Sequence, residues 1–224
     1  MKKNVRILLV FLMLPFTLML NSCKGARINN REASMIAQDI LRYTLDTKNT
    51  KDLSYSYKYE YNLSSLIGEE KEKGSREVKR NGNDFYEKRM AQDRETKKMI
   101  EVVEQYYYFD NGFKSYSKFG LKHVDISEGT YSMVTTTYLY GRLVSGIAQE
   151  LLYAVTTNDE EIKCYSSGEG DLYVTFSDST KDVESKTTIE FKDKLLTSYV
   201  TTFSDGGYVK YKMSYTNVRI KIPK

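Results

Sequence analysis

The chain has 224 residues, with 34 Lys and Arg against 30 Asp and Glu, one His, two Cys, no Trp and 20 Tyr. One histidine removes most metal-ligand and acid–base constellations at once, and two cysteines cannot build a disulfide framework. Three basic residues, Lys2, Lys3 and Arg6, stand in the first 22 positions with no acid among them. The remaining chain is close to neutral and lacks the electrostatic footprint that nucleic-acid binding requires.

After that basic start, Ile7 to Leu20 (ILLVFLMLPFTLML) is apolar apart from Thr17, and Asn21 and Ser22 are short and polar. Fourteen residues make a helix of about 21 Å, short of a hydrocarbon core of about 30 Å. Basic, apolar, then small and polar is the order of a secretory signal peptide. The LNSC that follows resembles the bacterial lipobox. The resemblance implies a lipoprotein signal peptide at residues 1–22, cleavage before Cys23, and acyl chains of the palmitate class carried on Cys23. At about 0.8 kcal/mol per buried CH₂, two chains make the attachment to the membrane effectively permanent. The alternative is an incidental Cys23 and ordinary signal-peptidase cleavage, but no A-x-A-type site follows Leu20. The expected location is the extracytoplasmic face of a bacterial cell membrane; whether the cell is Gram-positive or Gram-negative stays open. Cys164 is then left without a disulfide partner.

Residues 23–30 read as the lipidated cysteine and a short tether, and residues 31–224 as one domain. A capping box of Asn29 and Glu32 opens a helix whose apolar face is Ala33, Ile36, Ala37, Ile40 and Thr44. In LSYSYKYEYNL, Leu53, Tyr55, Tyr57, Tyr59, Tyr61 and Leu63 alternate with polar residues, which predicts a strand with one covered face. Four tyrosines in a row also suit a sugar-stacking platform. Tyrosine's β-propensity and amphipathic ring make a core wall the stronger reading. The basic run Lys71–Arg80 is interleaved with Glu and reads as a solvated strand or loop.

Turn signals at Asn81–Gly82, Asp110–Gly112 and Asp205–Gly207, with weaker ones at Gly168–Asp171 and Lys192–Lys194, divide the rest into strands. The last of these is predicted over Tyr208–Val218. One element interrupts the meander. Between Tyr138 and Thr156, Tyr140, Leu143, Val144, Ile147, Ala148, Leu151, Leu152 and Val155 recur at helical spacing, with Gln149 and Glu150 placed opposite. Only Arg142 is basic there, so the stripe packs on the sheet and not on a bilayer. Gly141 and Gly146, each costing about 1 kcal/mol inside a helix relative to Ala, read as simple tight packing, with close backbone approach or a helix that shifts on loading as the alternatives.

The order helix, strands, helix, strands, including the terminal YTNVRIKIP segment, resembles the LolA/LolB-like lipoprotein-carrier superfamily. The resemblance implies an α+β fold: a curved antiparallel β half-barrel with an N-terminal helix and a second helix covering the concave face. Unlike the soluble carrier, this chain reads as anchored through Cys23. No catalytic motif or cofactor signature is present. His123 stands without a nucleophile nearby, and the acidic runs Glu69–Glu72 and Asp159–Glu161 lack calcium-loop spacing. The expected function is therefore non-enzymatic: an acyl chain, lipid or lipoprotein bound in the concave face, with Tyr57, Tyr59, Ile147 and Leu151 lining the pocket. The alternative is a filled half-barrel acting as an envelope scaffold, sensor or adhesin for an unspecified protein partner.

Overall fold

The periods of two and 3.6 in the sequence become one sheet and two long helices. The structure, a computed structural model, describes residues 25–63, 72–82, 84–109, 113–119, 123–127, 140–157, 162–178 and 184–221. The leader, Cys23, the Asp110–Gly112 turn, Asp159–Glu161, most of Glu69–Glu72 and Pro223 lie outside these residues, as do the side chains of 108–127. In chain order the elements are β1 (Ala26–Ile28), α1 (Asn30–Leu45), α2 (Thr47–Thr50), β2 (Tyr55–Leu63), β3 (Glu72–Asn81), β4 (Asp84–Gln92), β5 (Met99–Phe109), β6 (Phe113–Phe119) and β7 (His123–Ser127). Then come α3 (Tyr140–Thr156), β8 (Lys163–Ser166), β9 (Leu172–Asp178), β10 (Ser185–Lys192), β11 (Leu195–Phe203) and β12 (Tyr208–Ser214).

Among the described residues twelve strands form one sheet in the order β1-β8-β9-β10-β11-β12-β2-β3-β4-β5-β6-β7. Each pairing is antiparallel. Two meanders, β2–β7 and β8–β12, are joined where β12 pairs with β2. Among the described residues no helix is long and apolar enough to cross a membrane.

α1 begins as the sequence predicts. Asn29 Oδ1 accepts from Glu32 N at 2.9 Å, and Glu32 Oε2 accepts from Asn29 N at 3.2 Å. Its Ala33, Ala37, Ile40 and Thr44 are buried. α3 buries Tyr140, Val144, Ala148, Leu151, Ala154 and Val155. These meet Tyr55, Tyr57 and Met213 near the middle of the sheet, Val78 and Phe85 on one side, and Leu172, Val174, Ile189, Phe191 and Leu196 on the other. One face of the sheet is thus covered by helices and the other is open.

Three differences from the sequence reading have local causes. The expected tether contains β1, whose Ile28 pairs with Cys164 of β8. Gly25 stands at φ +80°, and a Cβ there would lie 2.2 Å from the Ser166 carbonyl oxygen, so only glycine can start this strand. The final strand stops at Ser214, short of Val218: Asn217 takes the left-handed region at φ +55°, and Tyr215 turns inward to donate its hydroxyl to Leu196 O at 2.5 Å. Lys71–Arg80 is not simply solvated. Alternation along β3 turns Arg76, Val78 and Arg80 to the helix-covered face, and Arg80 is buried while donating to Lys51 O at 2.6 Å and Gly82 O at 3.0 Å.

The two helix glycines separate in role. A Cβ on Gly141 would approach Thr44 O of α1 to 2.6 Å, whereas one on Gly146 meets nothing within 4 Å among the described residues. Gly141→Ala is expected to lose about 1–3 kcal/mol by forcing α1 and α3 apart. Gly146→Ala should gain up to about 1 kcal/mol from helix propensity. Urea unfolding of both variants checks this, and equal effects would refute the crossing.

Candidate functional site

The tyrosines of β2 become a site through cross-strand register. On the helix-covered face Tyr211 of β12 lies opposite Tyr59, and Tyr199 of β11 opposite Tyr211. In the other direction Arg76 of β3 lies opposite Tyr59, Arg89 of β4 opposite Arg76, and Val103 of β5 opposite Arg89. At about 4.8 Å per strand, the row from Tyr199 to Arg89 spans about 19 Å. The ring centroids of Tyr59 and Tyr211 are 4.4 Å apart, those of Tyr199 and Tyr211 5.9 Å, and those of Tyr59 and Tyr61 5.4 Å. Tyr61 lies flat over Gly74, where any Cβ would fall 2.5 Å from its hydroxyl. Burial pushes the Tyr59 and Tyr199 hydroxyls up to about 12, so both stay protonated donors at neutral pH.

The four residues expected to line a pocket occupy two depths. Leu151 is 0% exposed and Tyr57 4%, and both belong to the packed core. Tyr59 and Ile147 are half-buried and pack against that core. The partly open part of this face is therefore the Tyr59 row and not the space beneath Leu151.

Sequence reasoning missed the polar end of the row. Glu87 is fully buried on β4. Its carboxylate pairs with Arg76 Nε at 2.6 Å and with Arg89 Nε, and Gln105 Nε2 donates to its second oxygen at 2.7 Å. Tyr107 fixes Gln105 by donating to its Oε1 at 2.9 Å. Burial alone pushes the Glu87 carboxyl up, but the Arg89 hydrogen bond, the Arg76 charge and hydrogen bond, and Gln105 together bring the net shift down. Glu150 also departs from expectation. It is half-buried rather than on the wet side, with Tyr199 donating to its Oε1 at 3.4 Å. Burial raises its pKa, and the Tyr199 hydroxyl offsets only part of that rise.

On the open face, β2, β12, β11 and β3 frame a groove of about 570 Å³. Ser56, Lys58, Glu60, Glu77, Ser198, Val200, Lys210, Lys212 and Ser214 line it, together with Tyr57, Tyr211 and Met213, so of the four expected pocket residues Tyr57 is the one that borders this groove. Lys58 pairs with Glu60 at 2.5 Å, Glu77 turns to Lys79 at 2.9 Å, and Lys210 lies 4.2 Å over the Tyr208 ring. Among the described residues no group of three or more His, Cys, Asp or Glu is placed to hold a metal ion. Cys164 is buried beside β1, and burial pushes its thiol up to about 11, which leaves it protonated and unreactive.

The two carboxylates give opposite pH signatures. Glu87 has a folded pKa below its ordinary 4.5, so its contribution is present above that value and lost as pH falls through the folded one. Glu150 has a folded pKa above 4.5, so its contribution is full below 4.5 and lost as pH rises through the folded value. Glu87→Gln should cost about 1–3 kcal/mol at pH 7 by removing the buried carboxylate that pairs with Arg76 and Arg89, and less near pH 3. Glu150→Gln should stabilise at pH 7 and change little near pH 4. Thermal melts across pH test both, and parallel profiles for the two variants would contradict the assigned burial.

No family model matches the chain, and no curated protein matches it. Among solved structures, the chain is similar to a DUF1329 family protein from Desulfovibrio piger, at 11% identity and a TM-score of 0.26, with 88% of this chain and 95% of that chain covered. A likeness of this size leaves function to be argued from the chain's own geometry.

Proposed function

We propose that this chain is a bacterial surface lipoprotein, held in the membrane through acylated Cys23, that binds the acyl chain of a lipid or lipoprotein along the helix-covered face of a curved half-barrel. It acts by binding and not by catalysis. The observation that carries the reading is the half-buried row Tyr199, Tyr211 and Tyr59, which lies at the margin of the packed stripe of α3. Aromatic rings offer an acyl chain a large apolar surface, worth about 25 cal/mol per Å² removed from water, while their hydroxyls find partners at the rim. Ile147 of α3 supplies the facing wall.

The N-terminal geometry supports close anchoring. Gly25 abuts β8, and in sequence only Lys24 stands between it and Cys23, so the proposed anchor leaves almost no linker. Such a domain rests against the membrane instead of swinging on a linker.

A second reading is a protein-binding scaffold, sensor or adhesin. It is favoured by Met99, Ile100 and Val102, three exposed apolar residues at the start of β5 beside the Asp93–Lys98 hairpin turn.

Two experiments separate these readings. Cys23→Ala should abolish the acyl mass increment and release the protein from membranes or leave its leader uncut; unchanged anchoring and mass would refute the lipoprotein assignment. Titration of the unlipidated domain with a fluorescent fatty acid should give saturable binding, weakened about tenfold or more by Ile147→Trp. No binding by a folded domain would favour the scaffold.

A further inference from the structure

We propose that Glu150 and the ring corner of Tyr199 and Tyr211 hold the ammonium head, primary or quaternary, of the bound amphiphile; the inference rests on the acyl-binding reading above.

Glu150 is a half-buried carboxylate, and among the described residues no cation pairs with it. The contact it makes is with the Tyr199 hydroxyl, which donates to Oε1 at 3.4 Å. α3 carries one basic residue, Arg142, which stands eight residues back, about 12 Å along the axis. On the sheet, Tyr199 has buried Ile189 opposite it on β10 and Tyr211 opposite it on β12, and neither supplies a positive charge. Arg76 lies three strands from Tyr199, about 14 Å away, and already pairs with Glu87. Burial without a counter-charge raises the Glu150 pKa, a penalty that a glutamine of the same shape would not carry. A cation arriving from outside would remove it.

The rings beside the carboxylate select the kind of cation. Tyr199 and Tyr211 stand at 76° to one another with centroids 5.9 Å apart, which makes a near right-angled corner. Tyr59 extends it, its centroid 4.4 Å from that of Tyr211. All three are half-buried, so water is partly excluded and the rings still reach the surface. Ring faces attract an ammonium through their quadrupole, most strongly where water is excluded, and a carboxylate at the rim adds a charge-assisted contact. The helix side has room for the head. Helical side chains lean over the preceding turn, and a Cβ on Gly146, one turn before Glu150, would meet nothing within 4 Å.

The surroundings fix the orientation of the ligand. Ile147 stands three residues before Glu150 on the same flank of α3 and packs against the core. One helix flank thus presents an apolar wall followed by a carboxylate, opposite a row of rings. The head lies at Glu150 and Tyr199, and the tail runs over Tyr211 and Tyr59 beside Ile147. Other acids near the row do not compete for the head: Glu87 is held by Arg76 and Gln105, and Glu60 pairs with Lys58 on the open face.

The test uses the full-length protein in its membranes and three photoactivatable probes of equal chain length: a diazirine alkyltrimethylammonium, a diazirine primary alkylamine and the neutral diazirine alcohol. Labelled peptides are mapped by mass spectrometry in wild type, Glu150→Gln and the control Glu169→Gln, an exposed acid in the β8–β9 turn, each confirmed folded by circular dichroism. Loss of one charge-assisted contact in Glu150→Gln should lower labelling of the tyrosine row by an ammonium probe about tenfold or more. The alcohol should change less than twofold, and Glu169→Gln should match wild type with every probe. Selective loss of the trimethylammonium probe assigns a quaternary head, selective loss of the alkylamine a primary one, and loss of both an ammonium of either kind. Ammonium labelling that Glu150→Gln leaves unchanged overturns the head-group site while the acyl-binding reading stands. Equal loss of all three probes makes Glu150 a structural contact of α3 and also overturns the site. No labelling of the row by any probe in wild type overturns both.

Discussion

Seven cross-strand pairs between β12 and β2, from Tyr208–Asn62 to Ser214–Ser56, join two meanders that would otherwise be separate sheets with exposed edges. This contact sets Tyr211 beside Tyr59 and Met213 beside Tyr57, so the aromatic row exists only while it is made. It also imposes the path of α3. To begin the second meander at the far side of the sheet, the chain must cross the face it has just built. Tyr140 fixes that crossing: its buried hydroxyl accepts Leu196 N–H at 2.7 Å, and Tyr215 binds the Leu196 carbonyl from the other side. Burial pushes Tyr140 up to about 12, and Tyr215 further still, so neither loses its proton in any ordinary medium.

From that constraint follows a division of the covered face. Under α1 and α3 it is close-packed, with Leu151, Val144, Ala148 and Tyr55 essentially without solvent contact. Toward β3, β4 and β5 the described helices give way to half-buried rings and to the buried Glu87 carboxylate, which pairs with half-buried Arg76 and exposed Arg89. Buried charges that contribute little to stability are commonly retained for specificity or ligand contact. Here Arg76 lies in direct register with Tyr59, so the charged residues adjoin the aromatic row. The open-face groove is lined by polar and charged side chains, with Lys58 paired to Glu60 and Lys210 and Lys212 beside them.

Much of the architecture was legible because it is written in local periods. Helix α1 with its capping box, the alternation of β2, the Asn81–Gly82 turn and the stripe of α3 were all read from spacing. The β10–β11 turn gave a weaker signal because Asp193 and Lys194 both take positive φ without a glycine; backbone hydrogen bonds to Asp171 Oδ1 and Gly170 O hold them there. What spacing cannot supply is register between distant strands. Arg76, Glu87 and Gln105 converge from three strands, and nothing in each strand alone distinguishes them from surface residues. The signal that was present is subtle: in the Lys71–Arg80 run, Arg76 and Arg80 share the parity of Val78 and must face inward with it. Glu150 was misplaced because the helix stripe was drawn too narrow, since Tyr199 reaches up to meet it from the sheet. Strand β1 is three residues long and carries no alternation that a sequence could display.

Native mass spectrometry of the full-length protein released gently from its own membrane tests the central claim most directly. The account predicts a population carrying one non-covalent acyl-chain ligand in addition to the covalent anchor on Cys23. A folded protein carrying the anchor alone, under conditions that preserve known lipid complexes, would contradict it.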